Sequence, residues 1–158
     1  MSTGHPDATA FVAEVRRLAE EASDSGLYCA EAVVSALARA QGIESGLVPK
    51  MATAFCSGMA RTCGPCGALT GAVMGLSLSL GRSDERQPVA AAYAATRELV
   101  RTFEEEFGGR SCGELLGCDI GTPEGQEHFI RQELYDRCAR YTVRAAEIAA
   151  ALLARSGG

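Results

Sequence analysis

Cysteines are the residues of this chain that could carry chemistry, and two of them lie three positions apart in the segment TCGPCGALTG. Cys63 and Cys66 enclose a Gly-Pro dipeptide, a spacing at which two sulfur atoms can form a disulfide or bind one metal ion. The 158-residue chain has seven cysteines, two histidines and no tryptophan, so we expect any reactive chemistry to be sulfur chemistry. The other five cysteines are at positions 29, 56, 112, 118 and 138.

The residues around Cys63 predict a reactive thiol. Pro65 is typical of the first turn of a helix, which places Cys63 at or just before the helix N-terminus and Cys66 one turn in. Unpaired N–H groups and the helix dipole favour a thiolate there, and Arg61 adds positive charge. We therefore expect Cys63 to attack, Cys66 or another nearby cysteine to resolve the product, and Arg61 to stabilise the thiolate. The alternative is that both cysteines only fill a crowded turn.

The apolar pattern predicts the elements that position these cysteines. Apolar residues recur at helical spacing nearly throughout, and no linker or repeat divides the chain, which indicates an all-α single domain over residues 1–158. This differs from thioredoxin, whose Cys-Gly-Pro-Cys follows a strand of an α/β fold. We expect a bundle of about six helices, at about 11–22, 27–41, 45–59, 65–81, 88–107 and 122–152, with a short turn capped by Ser111 and Glu114.

The fourth predicted helix carries three glycines on one face. Gly67, Gly71 and Gly75 follow one another at intervals of four. Because glycine lowers helix propensity by about 1 kcal/mol, three in register indicate the close approach of another helix backbone. The same spacing predicts further side chains in the core, among them Met51, Phe55, Met59, Tyr93, Leu99, Phe103, Ile130, Leu134 and Tyr141.

The remaining cysteines differ in their surroundings. Cys112 and Cys118 lie in the glycine-rich segment SCGELLGCDIGTPEG, where the backbone can wrap around a bound centre. Cys29 and Cys138 lie on apolar helix faces, which taken alone is typical of inert buried thiols. Cys56 is predicted to pack in the core at the end of the third helix and is assigned no role.

Four segments, in order, resemble a family of small redox-active proteins named for a C-GCAxxG-C-C pattern. Cys66-Gly67-Ala68-Leu69-Thr70-Gly71 fits its CGAxxG signature. The segments YCAEAV, SCGELLGCDIGTPEG and CARYTV resemble its other cysteine segments, so that the resemblance covers about residues 26–152. It implies redox activity without naming a substrate. It also implies a four-cysteine set, to which Cys63 and Cys118 are additional: Cys29, Cys66, Cys112 and Cys138.

Two functions follow from these residues. The first is a small thiol–disulfide oxidoreductase that exchanges electrons with a redox partner or a small oxidant through Cys63 and Cys66. The alternative is a module that holds Zn²⁺ or an iron–sulfur cluster, although the spacings match no common zinc-ribbon or ferredoxin run. A helical interaction domain whose cysteines only pack is a third interpretation. In the alternative the metal ligands are Cys29, Cys66, Cys112 and Cys138, with Cys118 as a further candidate.

Charge and composition argue against other classes. Fifteen basic and twenty acidic residues give a net charge of −5 without a basic stripe, so no nucleic-acid partner is expected. The apolar run at 68–80 is too short to cross ~30 Å of hydrocarbon, and residues 1–10 lack the pattern of a secretory signal. His128, near Glu124 and Glu127, is predicted on a solvated helix face. We expect a cytoplasmic protein, and glycine-lined helix faces favour a homodimer.

Overall fold

A computed structural model describes residues 7–157, so the expectations for residues 1–6, His5 among them, and for Gly158 lie outside it. The described residues form right-handed α-helices and no β-strand, which confirms the predicted all-α class. None of the helices between residues 7 and 157 is long and apolar enough to cross a membrane. The eight helices are α1 (Ala8–Asp24), α2 (Cys29–Ala40), α3 (Leu47–Ala52), α4 (Gly67–Leu80), α5 (Ala90–Phe107), α6 (Cys112–Leu116), α7 (Pro123–Arg131) and α8 (Tyr135–Ser156).

Helix α4 lies at the centre and packs against α2, α5 and α8. Its glycine face meets α2. A Cβ at Gly71 would lie 2.6 Å from the carbonyl oxygen and 3.0 Å from the Cα of Ala30, and a Cβ at Gly75 would overlap the side chain of Leu37. The predicted close approach of a second backbone is therefore confirmed. Because α2 covers this face, the face is not available to a second copy of the chain.

An aromatic cluster joins the later helices to the core. The ring of Phe107 meets those of Phe103 and Tyr141 edge to face, with centroids 4.9 and 4.8 Å apart. The Tyr141 hydroxyl donates a hydrogen bond of 3.2 Å to the carbonyl of Leu115. This bond ties α6 to α8, so the short helix that begins at Cys112 is held against the longest one.

The helix predicted over 45–59 ends early. It stops at Ala52, and a 3₁₀ turn (Thr53–Phe55) leads into a turn of opposite hand (Cys56–Arg61). In that left-handed turn, residues 57–61 all have φ between 56° and 66°. For residues with a side chain this conformation costs about 1–2 kcal/mol each. The segment is therefore strained, and neighbouring contacts have to hold it.

Five side chains that were expected in the core are exposed: Met51, Phe55, Met59, Tyr93 and Ile130. The first three belong to the interrupted third helix. Ile130 is 75% exposed because the last predicted helix is in fact two, with Glu133 at φ 52° between α7 and α8. Tyr93 lies in the first turn of α5, ahead of the residues by which that helix packs. The division of the last helix, together with the short turn at Ser111 that forms α6, explains why the described residues contain eight helices instead of about six.

Replacing Gly71 with alanine tests the contact between α2 and α4. Although alanine is the better helix former, its Cβ would overlap the Ala30 backbone, and overpacking of this kind costs about 2 kcal/mol. We expect G71A to lower the free energy of unfolding, measured by urea titration with far-UV circular dichroism. The matched control is G46A, because a Cβ at Gly46 meets nothing within 4 Å. A G71A protein as stable as G46A would contradict the contact.

Candidate functional site

A cavity of about 280 Å³ lies where the first residues of α2, α4 and α6 meet α8. Four cysteines from distant parts of the chain line it, and they are the four that the resemblance implies. The rest of its wall is mostly apolar, and three exposed side chains, Tyr28, Ile130 and Tyr135, lie at its edge. The four cysteines are Cys29, Cys66, Cys112 and Cys138.

Helix N-termini position three of these sulfur atoms. Cys29 is the first residue of α2, Cys66 is the N-cap of α4, and Cys112 is the first residue of α6. Cys138 lies in the first turn of α8. The first backbone N–H groups of a helix have no hydrogen-bond partner within that helix. The helix N-termini therefore place backbone donors near the cavity as well as cysteine thiols.

Backbone hydrogen bonds clamp the loop before α4 to the start of α6. The N–H of Cys66 donates to the carbonyl of Arg110, and the N–H of Cys112 donates to the carbonyl of Gly64, both at 2.8 Å. Ser111 caps α6, as predicted, by accepting a hydrogen bond of 3.2 Å from the N–H of Glu114. Cys66 and Cys112 are therefore fixed side by side.

The left-handed turn forms another part of the wall, through Ser57, Gly58 and Arg61. A Cβ at Gly58 would overlap the Cβ of Cys112, so the turn packs directly on that cysteine. The carbonyl of Gly58 accepts a hydrogen bond of 2.9 Å from the N–H of Gly64. Strained backbone of this kind is concentrated at functional sites, where the surrounding structure holds it in place.

Cys29 alone among the four cavity cysteines has a lowered pKa. The main cause is the neighbouring thiol of Cys56, whose hydrogen bonding favours a thiolate at Cys29. Burial opposes this effect, the backbone N–H groups of Ser57 and Ala30 support it, and the neighbouring Cys66 opposes it. The net result favours a Cys29 thiolate, which is the nucleophilic form of cysteine.

Burial dominates at the other three cavity cysteines. It raises the pKa of Cys66 to about 11, although the backbone N–H groups at the start of α4 act in the opposite direction. It raises the pKa of Cys112 to about 11 and that of Cys138 to about 12, and nearby sulfurs add to both effects. At neutral pH these three groups are therefore thiols.

The structure does not support the thiolate expected at Cys63. The helix begins at Gly67, so that Cys66 and not Cys63 takes the N-terminal position. The thiol of Cys63 donates a hydrogen bond to the carboxylate of Asp119, which raises its pKa, so the expected lowering is wrong. Cys63 is also absent from the cavity wall, whereas Cys66 and Arg61 are part of it.

Two residues that matter here had no signal in the sequence. Cys56 contacts Cys29 only because the third helix stops at Ala52, which no local pattern indicates. Asp119 reaches Cys63 from a separate loop, so its effect depends on tertiary structure.

The alternative metal centre is not formed by the residues that the structure describes. Between residues 7 and 157, no three Cys, His, Asp or Glu side chains converge in a way that could hold a metal ion. Four of the expected ligands share one cavity, and Cys118 lies outside its wall, near Cys63. The four cysteines therefore line one cavity, but their sulfur atoms are not arranged to bind one metal ion together.

An all-α fold that gathers cysteines around an apolar cavity defines a class of thiol-bearing helical protein. A family model described as "Putative redox-active protein (C_GCAxxG_C_C)" matches residues 27–152. The chain belongs to this family, and the expected resemblance over about 26–152 is confirmed. No curated protein and no solved structure matches the chain.

Removing the carboxylate at position 119 should make Cys63 more reactive. In D119N a neutral amide replaces the carboxylate, so the negative charge that disfavours a Cys63 thiolate is lost and more of the thiol is ionised at pH 8. We expect its alkylation by iodoacetamide, followed by peptide mass spectrometry, to become several-fold faster. D136N, which changes an exposed acid on α8, is the matched control. An unchanged rate in D119N would show that Asp119 does not govern this thiol.

Proposed function

We propose that this protein is a thiol–disulfide oxidoreductase whose attacking group is Cys29. The observation that carries the proposal is the environment of Cys29. It faces the cavity, and the Cys56 thiol and two backbone N–H groups favour its thiolate, while the other three cavity cysteines stay protonated. Reactive cysteines are found in such partly exposed sites that stabilise the thiolate, whereas structural buried cysteines are inert.

The proposed step conserves atoms and electrons. The Cys29 thiolate attacks one sulfur of a disulfide R–S–S–R, whose S–S bond breaks as a mixed disulfide with Cys29 forms. The released RS⁻ takes up a proton. A second thiol of the chain then displaces the other RS⁻, so that two protein thiols are oxidised to a disulfide and the substrate is reduced to two thiols. Arg61, on the cavity wall, supplies positive charge near the leaving thiolate.

The cavity favours a disulfide with an apolar carrier. Leu27, Leu115 and Phe129 form much of its wall, and Tyr28, Ile130 and Tyr135 present apolar surface at its edge. Exposed apolar surface next to a cavity marks a place where a ligand or a partner binds. The substrate class is therefore a small aromatic or aliphatic disulfide, or a disulfide on an apolar surface of a redox partner.

We place this chemistry in the reducing cytoplasm. The chain has seven cysteines, an odd number that cannot pair completely within the chain, so at least one stays a thiol. Thiols persist in this form where thiol reductants keep them reduced.

Stopped-flow reaction with 4,4′-dithiodipyridine tests the assignment of Cys29, because each thiolate attack on this neutral aromatic disulfide releases a coloured thione. We expect one fast phase at pH 7, at least tenfold slower in C29S. Because the Cys29 pKa is lowered, this phase should persist as the pH falls through the range in which ordinary thiols lose reactivity. The control is C63S, which changes a cysteine outside the cavity wall and should keep the fast phase. If C29S keeps it too, Cys29 is not the nucleophile.

Metal analysis of protein purified without oxygen separates this proposal from the alternative. The thiol mechanism predicts no stoichiometric iron or zinc and a full count of titratable thiols. Iron or zinc at about one equivalent per chain, lost in C66S and C138S, would instead support the metal-binding module.

A further inference from the structure

We propose that Cys56 is the resolving thiol of Cys29, so that each turnover closes a Cys29–Cys56 disulfide. The proposal rests on the attack by Cys29 put forward above, and it assigns a role to a cysteine outside the four-cysteine set of the family pattern.

Contact geometry brings the two residues together at Gly67. A Cβ at this glycine would overlap the sulfur of Cys29 and would lie 3.2 Å from the Cα of Cys56. Cys29 also packs against the small apolar cluster that contains Cys56, Ala30 and Val34. The thiol of Cys56 donates a hydrogen bond of 3.7 Å to the carbonyl of Ala52, and its hydrogen bonding to a thiolate at Cys29 is the main cause of the lowered pKa of Cys29. Two sulfurs in this contact need only a small side-chain movement to form a bond.

Access from the cavity differs between the two sulfurs. Cys29 forms part of the cavity wall, whereas Cys56 does not and is only 4% exposed. A disulfide that enters the cavity therefore reaches Cys29 and not Cys56. Thiol–disulfide exchange proceeds through a nearly linear arrangement of three sulfurs. With the substrate sulfur on the cavity side of Cys29, a resolving thiol has to approach from the side away from the cavity, and Cys56 lies outside the cavity wall.

The start of α2 can stabilise a thiolate at Cys56 when it is needed. The N-cap residue Tyr28 makes no side-chain hydrogen bond to the helix, and the backbone N–H groups of Ala30 and Glu31 are directed at the Cys56 sulfur. While Cys29 is a thiolate, Cys56 holds its proton as the donor to it, which raises the pKa of Cys56. Once Cys29 enters a mixed disulfide its charge is gone, so the two causes that involve Cys29 no longer raise the pKa of Cys56, and the N–H groups then act only against burial.

The second step also conserves atoms and electrons. The Cys56 thiolate attacks the Cys29 sulfur of Cys29–S–S–R, the bond to R–S breaks, and RS⁻ leaves with the proton that Cys56 gave up. Return to the dithiol requires an external thiol or dithiol reductant. Cys66 is the competing resolving thiol, because it too lies next to Cys29. However, it stands on the cavity wall, and burial holds the pKa of Cys66 at about 11.

The test uses the full chain, fully reduced, with one equivalent of 4,4′-dithiodipyridine per chain. Attack by Cys29 releases the first thione, and closure of the internal disulfide releases the second. We expect the wild-type protein to release both, and peptide mass spectrometry after acid quench to find Cys29 joined to Cys56. In C56S the first release should still depend on Cys29, while the second slows at least tenfold because no thiol remains at position 56. The control C63S should release both as the wild-type protein does.

The outcomes separate the two proposals. If C66S and not C56S blocks the second release, or if the mapped bond joins Cys29 to Cys66, Cys56 is not the resolving thiol although Cys29 still attacks. If the first release does not depend on Cys29, the proposed function itself fails. A far-UV circular dichroism spectrum like that of the wild-type protein shows that C56S is folded, and C56A, which lacks a donor at this position, should slow the first release.

Discussion

The close contact between α2 and α4 is the constraint on which the cavity depends. At Gly71 the two backbones meet directly, and at Gly67 and Gly75 the missing side chains leave room for those of Cys29 and Leu37. The sulfur of Cys29 therefore lies directly against Gly67, beside the N-cap residue Cys66. A larger residue at any of these glycines would push α2 outward and separate the two cysteines. Packing of the core and placement of the reactive group thus depend on the same contact.

The four cavity cysteines lie close together, but their pKa values are shifted in different directions. Backbone N–H groups lie near both Cys29 and Cys66, yet the pKa of Cys29 is lowered and that of Cys66 is raised. The difference is the Cys56 thiol, which neighbours Cys29 and favours its thiolate. Burial disfavours any thiolate, and backbone donors alone do not overcome it at Cys66. A second thiol behind the first therefore distinguishes one sulfur from the others.

Much of this arrangement could be predicted from the sequence, because helical periodicity and glycine spacing are local signals. They located most of the helices and the close approach at α4, and the family resemblance selected the four cavity cysteines. The proposed pair, Cys29 and Cys56, could not be found in this way. The spacing of Cys63 and Cys66 indicated a local pair, but the pKa of Cys63 depends on Asp119, and that of Cys29 depends on Cys56. Both effects arise from tertiary contacts.

The interrupted third helix is harder still, since the segment FCSGMART has an ordinary helical composition. Nothing in Met59 or Ala60 indicates positive φ. The clamp between Gly64 and Cys112 and the packing of Gly58 on Cys112 select the conformation of the segment.

One consequence of that left-handed turn concerns stereochemistry. Over residues 57–61 the backbone follows the screw sense that D-amino acids prefer, so the side chains of Ser57, Met59, Ala60 and Arg61 project from a mirror-image helix. The usual ranking of helix propensities is therefore inverted in this turn. Alanine, the best former of right-handed helices, is unfavourable here, whereas glycine and asparagine adopt the conformation readily. A semisynthetic chain with D-alanine at position 60 would relieve the local strain at that residue.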